Sequence, residues 1–386
     1  MLLVALTLWR ACCYGAARMK RIARNLILLA AIVVVLGLLL YHSRGALAKQ
    51  GFSWAKLEEA VEGARLSLLL LAAAAIYVCY AIRSQRWVAF SRYLGRTRFW
   101  SVYESTLMGF SAIFLLGRAG EPVRPLLIAR KERVSISGTF GVYVLERIFD
   151  LAAALAVFSL GLVLASGRLA ATGDDSAIVA ARAGGLVMMG LLVLIVAFLV
   201  YFRMHGAGWL AQRLDVWRQK RGWRRKVALI FAGFSEGLQC IRTWRDLVEA
   251  LIYSVAHWAL VALSFLWVCH SFGGSLGKLG YADAMLLLGV TMLGAMVQLP
   301  AIGGGAQVAS MIALTEFFGI GQAPAAAAAI VLWLVTFAAV LVAGIPLFIR
   351  QGLSMHELWA LASESKREEL NAEDAEAEQP AREARR

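Results

Sequence analysis

The stretch Thr139–Ala165, TFGVYVLERIFDLAAALAVFSLGLVLA, decides the fold. It is apolar and long enough to cross a bilayer, whose hydrocarbon core takes about 20 residues of helix. It nevertheless carries Glu146, Arg147 and Asp150. At about 1.5 Å per residue, Glu146 lies roughly 10 Å into a helix starting at Thr139. Glu146 and Asp150, four apart, share a face, and Arg147 and Asp150, three apart, can pair. Charges at that depth are tolerated only where they face the protein interior and find partners. Two readings remain open: structural ion pairs to arginines elsewhere in the chain, or a proton or substrate relay.

The rest of the chain repeats the apolar pattern. Of its 386 residues, 60% are hydrophobic and 17% charged, against about half and a quarter in a soluble domain. A water-soluble enzyme is excluded on that balance, and the expected class is an all-α integral membrane protein. Full spans are expected at Asn25–Tyr41, Arg65–Ile82, Thr139–Ala165, Ala183–Phe202, Leu247–Phe272 and Pro324–Ile349. Two further apolar segments are interrupted. One runs from Ser101 into Gly117-Arg-Ala-Gly-Glu-Pro-Val-Arg-Pro125, which cannot continue a lipid-exposed helix. The other runs from Ala284 to Pro300-Ala-Ile-Gly-Gly-Gly305 and resumes over Ala306–Phe318. The expected architecture is six transmembrane helices plus two re-entrant segments.

Net charge is +14, with 39 Lys and Arg against 25 Asp and Glu. If both interrupted segments enter and leave on one side, most basic residues gather in 1–24, 83–98, 118–133, 203–245 and 350–386. The opposite side keeps Arg44, Lys49, Lys56, Arg65, Arg168, Arg182 and Lys278. That asymmetry places both termini in the cytoplasm and favours a plasma (inner) membrane. It also divides the chain into a basic N-terminal extension (1–24), a transmembrane domain (25–350) and a charged, largely disordered cytoplasmic tail (351–386). Within the domain, 25–165 and 183–349 read alike and cross an odd number of times, as an inverted repeat requires. Gly/Pro-interrupted segments at matching positions of two halves point to a substrate site near the midplane.

Three constellations can carry chemistry there. Arg118, Glu121 and Arg124 sit in the first break, where guanidinium forks suit a phosphate; interfacial arginines snorkelling to headgroups are the plainer alternative. Glu146, Arg147 and Asp150 form the second. Gly303, Gly304 and Gly305, followed by Gln307 and Ser310, form the third. There backbone amides at a helix start can receive an anion, or the turn is simply a packed hairpin tip. Five cysteines and five histidines show no metal or redox spacing, so no cofactor or metal is expected. His257 and His270 fall near opposite parts of one helix. No Walker loop or hydrolase elbow stands out. The basic stretch 203–226, with Trp209, Trp217 and Trp223, lies between spans, which favours lipid headgroups over nucleic acid.

The elements Gly117–Pro125, Glu146-Arg-Ile-Phe-Asp150 and Pro300–Gly305, in that order and spacing, resemble the lysylphosphatidylglycerol synthase transmembrane-region family, the flippase-like domain. The resemblance covers about residues 20 to 350. Arg118, Glu121 and Arg124 match its G-x-x-G-E-x-x-R element, and Glu146, Arg147 and Asp150 its E-R-x-x-D element. Members occur alone or fused to a soluble aminoacyl-transfer domain. Only a short charged tail follows the last span here, so the resemblance implies lipid handling or translocation and not synthesis. The implied partner is an anionic phospholipid or a polyprenyl-phosphate lipid. The rival expectation is a non-transporting scaffold of a cell-envelope lipid synthase or glycosyltransferase. An intramembrane lipid-phosphate enzyme is weaker, because no nucleophile is visible. Many members place an acidic residue shortly after the glycines; this chain has Gln307 and Ser310.

Overall fold

The computed structural model describes residues 62–170, 183–194, 197, 243–296, 298–299 and 303–352. The expected first span at Asn25–Tyr41, the basic 1–24 and 203–226 stretches and the tail from 353 lie outside the described residues. What is described is helical: α1 (Leu66–Ser91), α2 (Phe99–Leu116), α3 (Val123–Glu132), α4 (Ile136–Ala170), α5 (Ala183–Leu194), α6 (Trp244–Ser271) and α7 (Tyr281–Gly294). After a two-residue antiparallel pairing of Gln298–Leu299 with Gly303–Gly304 come α8 (Gly305–Ile312), α9 (Gln322–Trp333) and α10 (Val340–Arg350). Among the described residues, five helical stretches are long and apolar enough to cross a membrane: Leu66–Ser91, Phe99–Gly120, Gly138–Leu164, Trp244–Ser271 and Gln322–Arg350. Their outer faces expose large apolar side chains, such as Leu66 and Leu70 on α1, Leu160 and Leu164 on α4, and Ile252 and Val255 on α6. A surface of this kind suits lipid and is a liability in water.

The first interrupted segment folds as a hairpin. Gly117, at φ 64°, ends α2 in a conformation a side chain would resist, and a 3-10 turn over Gly117–Gly120 reverses the chain. Pro122 and Pro125 then fall where a first helical turn needs no amide donor. Helix α3 returns along α2. Lys131 Nζ lies 3.2 Å from Glu104 Oε2, and the Arg98 amide donates to Glu132 Oε2 at 2.9 Å. The segment therefore starts and finishes at the same end, as a re-entrant hairpin must. The second segment also reverses: Thr291 on α7 and Ser310 on α8 share a hydroxyl–hydroxyl bond of 2.7 Å beside the turn.

The two halves pack in matching pairs. Helices α1 and α6, the corresponding spans, run antiparallel: Arg65 N donates to Ser271 O at 2.8 Å, His257 Nδ1 lies 3.3 Å from Cys79 O, and Tyr93 Oη donates to Asp246 at 2.9 Å. The last span of each half then inserts a glycine against the hairpin of the other. A Cβ on Gly161 of α4 would lie 2.7 Å from the Leu286 amide of α7, and one on Gly344 of α10 would fall onto Ser111 of α2. The two contacts are reciprocal, each of these last spans meeting the other half's hairpin. The buried core, including Phe265, Leu287, Leu314 and Leu332, fills the space between them.

One boundary differs from the sequence expectation, with consequences for the site. Helix α1 does not stop at Ile82 but continues to Ser91. Arg83 and Arg86, expected in a cytoplasmic loop, are instead inside the protein, 5% and 1% exposed. The helix can carry them because buried carboxylates on α4 meet them.

Candidate functional site

Four helices converge on the charges of α4. Arg83 of α1 donates through Nη2 to Asp150 Oδ2 at 2.7 Å, and its Nη1 lies 3.2 Å from Glu146 Oε1. One turn on, Arg86 Nη2 donates to Asp150 Oδ1 at 2.6 Å, and Nη1 donates to Ser254 Oγ of α6 at 2.7 Å. Arg124, near the start of α3, brings Nη1 to 2.9 and 2.8 Å from the two Glu146 oxygens. Its Nε donates to Thr106 Oγ1 of α2 at 3.2 Å, and its guanidinium lies over the Trp87 ring, 4.6 Å from the centroid. That cation–π contact replaces part of the hydration the arginine has lost. Arg124 fits because Gly109 faces it: a Cβ there would collide with the Arg124 Cβ.

The balance of charge is unequal. Among the described residues, Arg83, Arg86, Arg124 and Arg147 meet only Glu146 and Asp150 within ion-pair distance. Glu121 accepts from Tyr143 Oη at 2.6 Å, and Arg147 lies over that tyrosine ring. Even with Glu121 counted, one positive charge is in excess. Among the described residues, three guanidinium nitrogens, Arg83 Nε, Arg86 Nε and Arg124 Nη2, are buried without a hydrogen-bond acceptor. Unpaired buried donors are costly, and they invite an acceptor with several oxygens. Arg147 differs from the other three. Its side chain is 42% exposed while Nη2 lies 3.1 Å from Asp150 Oδ2, so it links the buried cluster to the outside.

The remaining expected residues gather at the hairpin tips. Arg118, exposed, donates through Nη2 to Met296 O at 2.8 Å and so ties the first break to the second. Gly304 (φ 98°) opens α8, but its amide donates to Gln307 Oε1 at 2.6 Å, so Gln307 already holds one amide of the glycine turn. Ser310 Oγ is buried and spans α7 and α8 through Thr291. Arg118 and Arg124 are thus parted by the 3-10 turn: one lies at the tips, the other inside the cluster. Glu121 lies between them, linked to the cluster through Tyr143. Glu316 sits in a π turn (Ala313–Phe317) at the end of the second hairpin.

Sequence reading missed Arg83, Arg86, Ser254 and His257. The spacing of Arg83 and Arg86 was a usable signal, since residues three apart on a helix share a face. His257 is buried on α6, with Nδ1 toward the Cys79 carbonyl and Nε2 3.5 Å from Arg83 Nη2. Among the described residues, no group of His, Cys, Asp and Glu is arranged to hold a metal.

The fold and the cluster define a polytopic helical membrane protein with two broken hairpins around intramembrane charges. Residues 26–344 match the family described as Lysylphosphatidylglycerol synthase TM region, and the chain belongs to it. No curated protein matches the chain. It is a multi-pass membrane protein of a lipid-related family, and the match is to the transmembrane region of that family.

Proposed function

We propose that this protein translocates an anionic phospholipid or polyprenyl-phosphate lipid across the bilayer without changing it chemically. The carrying observation is the cationic excess at Arg83, Arg86, Arg124 and Arg147, with buried guanidinium nitrogens that lack acceptors. A phosphate supplies both the missing charge and the missing oxygens. Half-exposed Arg147 meets the headgroup first. The phosphate then displaces Asp150 or Glu146 from an arginine, and the released carboxylate re-pairs with a neighbour. The lipid tails stay in the bilayer, beside the exposed apolar faces. Arg118 and the glycine turn at Gly303–Gly305 form the second station, where the hairpin tips touch. The basic residues orient this in a plasma membrane with both termini cytoplasmic.

The test is reconstitution in liposomes with fluorescent phosphatidylglycerol. Wild-type protein is expected to move it between leaflets, and Arg124→Ala to slow that movement at least about tenfold, a barrier change of about 1.4 kcal/mol. Undiminished movement by Arg124→Ala would remove the phosphate clamp. No movement of any lipid by folded protein would favour a scaffold for a cell-envelope enzyme, whose partner would then co-purify.

A further inference from the structure

The imidazole of His257 has no role in the proposed clamp, yet its two nitrogens are placed unequally. Nδ1 lies 3.3 Å from the backbone carbonyl of Cys79, which only accepts. Nε2 lies 3.5 Å from Arg83 Nη2, which only donates. The proton must therefore sit on Nδ1, leaving the Nε2 lone pair directed at Arg83. The ring is buried 13 residues along α6, with the Trp258 indole 5.3 Å away and nearly perpendicular to it. The charged groups that act on it are Arg83 and Arg86 of α1 and Asp150 of α4. A proton on Nε2 would set two donors face to face and add charge to a cluster already in cationic excess.

That obstacle lasts only while Arg83 is without an added anion. A phosphodiester bound to Arg83 and Arg86 reduces the excess by one and draws the Arg83 fork off Nε2. Resting on the translocation reading, we propose that His257 is the proton carrier coupled to the bound phosphodiester. Nε2 takes one proton from water as the anion binds and returns it to water as the anion leaves. The N–H bond forms as an O–H bond of a hydronium ion breaks, the reverse occurs on release, and the load carried is a monoanion and a proton, electrically neutral together. Neutrality suits passage through a low-dielectric interior. Linkage makes the coupling reciprocal: the anion promotes protonation, and acid promotes anion binding.

Calorimetric titration of the full chain in micelles, in two buffers of different ionisation enthalpy, reads binding and proton uptake together. The probes are dioctanoyl phosphatidylglycerol, dioctanoyl phosphatidylcholine and dimethyl phosphate, none of which titrates near neutral pH. The expected result is close to one proton taken up per phosphatidylglycerol bound. Affinity should rise by up to about tenfold for each unit of pH lowered, the limit for one linked proton. Uptake with dimethyl phosphate as well would assign the site to the phosphodiester itself; uptake with phosphatidylglycerol alone would assign it to the lipid. Either supports the carrier. H257Q should take up fewer than about half as many protons per lipid bound. Binding with no uptake, or equal uptake by H257Q, overturns the carrier and leaves the lipid reading standing. No binding of phosphatidylglycerol or dimethyl phosphate overturns the carrier and, with it, the phosphodiester-lipid form of the translocation reading. Should H257Q not fold, the nitrogen-15 resonance of Nε2 in wild-type protein decides instead. It should move to the protonated position on adding phosphatidylglycerol, and an unmoved resonance overturns the carrier.

Discussion

Arg124 holds Glu146 through a single nitrogen, Nη1, at 2.9 Å from one carboxylate oxygen and 2.8 Å from the other, with both residues at most 2% exposed. The pair joins a short re-entrant helix to a membrane-spanning one. Removing one partner of a buried pair leaves an uncompensated charge, which costs roughly 3–5 kcal/mol. Glu146→Gln should therefore lower the thermal midpoint of the purified protein markedly. Arg124→Gln combined with Glu146→Gln should fall short of the sum of the single effects by about 0.5–3 kcal/mol. Additive losses, measured by thermal unfolding in one detergent, would mean the pair is not coupled.

Arg147 should behave in the opposite way. Its side chain is 42% exposed, so its ion pairs contribute little to stability, at most about 1 kcal/mol. Arg147→Gln is expected to leave the thermal midpoint nearly unchanged while slowing phosphatidylglycerol translocation about tenfold. A variant that transports normally would exclude Arg147 from headgroup entry.

Gly344 and Gly161 set how closely the two halves approach. A methyl at Gly344 falls onto Ser111, and one at Gly161 meets the Leu286 backbone. Gly344→Ala and Gly161→Ala should each destabilise by about 1–3 kcal/mol through overpacking. Gly190, with open space around it, is the control. Alanine there should be neutral or stabilising by up to about 1 kcal/mol. Equal effects at all three positions would contradict the close reciprocal packing.

The π turn at Leu334–Ala338 alters the backbone bonding of the last span, and Tyr77 Oη of α1 donates to Ala339 O just beyond it, at 2.6 Å. Tyr77→Phe removes one of that carbonyl's two donors and leaves the Val342 amide at 3.2 Å, a loss of about 0.5–1.5 kcal/mol. Amide hydrogen exchange over 334–342 should accelerate. Unchanged exchange there would show that the tyrosine does not pin the turn.

The first hairpin makes a topological demand. The Arg98 amide and the Glu132 carboxylate touch, so the two ends of the segment lie on one side. With native cysteines replaced, Arg96→Cys and Arg133→Cys should both react with an impermeant maleimide from the same face. Labelling from opposite faces would mean the segment crosses.

Much of this was legible in the sequence because insulation from water leaves few solutions for a charge or a broken helix. Glu146 and Asp150 announced interior-facing charges, although Arg147 beside them is half-exposed, and the Gly and Pro residues of 117–125 announced a reversal. What stayed hidden was the cationic side. Arg83 and Arg86 stand where the apolar run of α1 ends, which looks like a headgroup contact, and only the fold shows α1 continuing to Ser91. His257 has partners 174 and 178 positions away, a distance no local spacing reports. Arg118 and Arg124 looked like one clamp, but the turn at Gly117–Gly120 sends one to the surface and the other inside.

The most direct measurement compares wild-type protein with the double variant Glu146→Gln/Asp150→Asn in the same liposomes, using fluorescent phosphatidylglycerol, an undecaprenyl-phosphate analogue and phosphatidylcholine. The expected result is headgroup-selective movement of a phosphate-bearing anionic lipid by the wild type, lost in a folded double variant. Equal movement of all three lipids, or full activity without the two carboxylates, would contradict transport through the buried cluster.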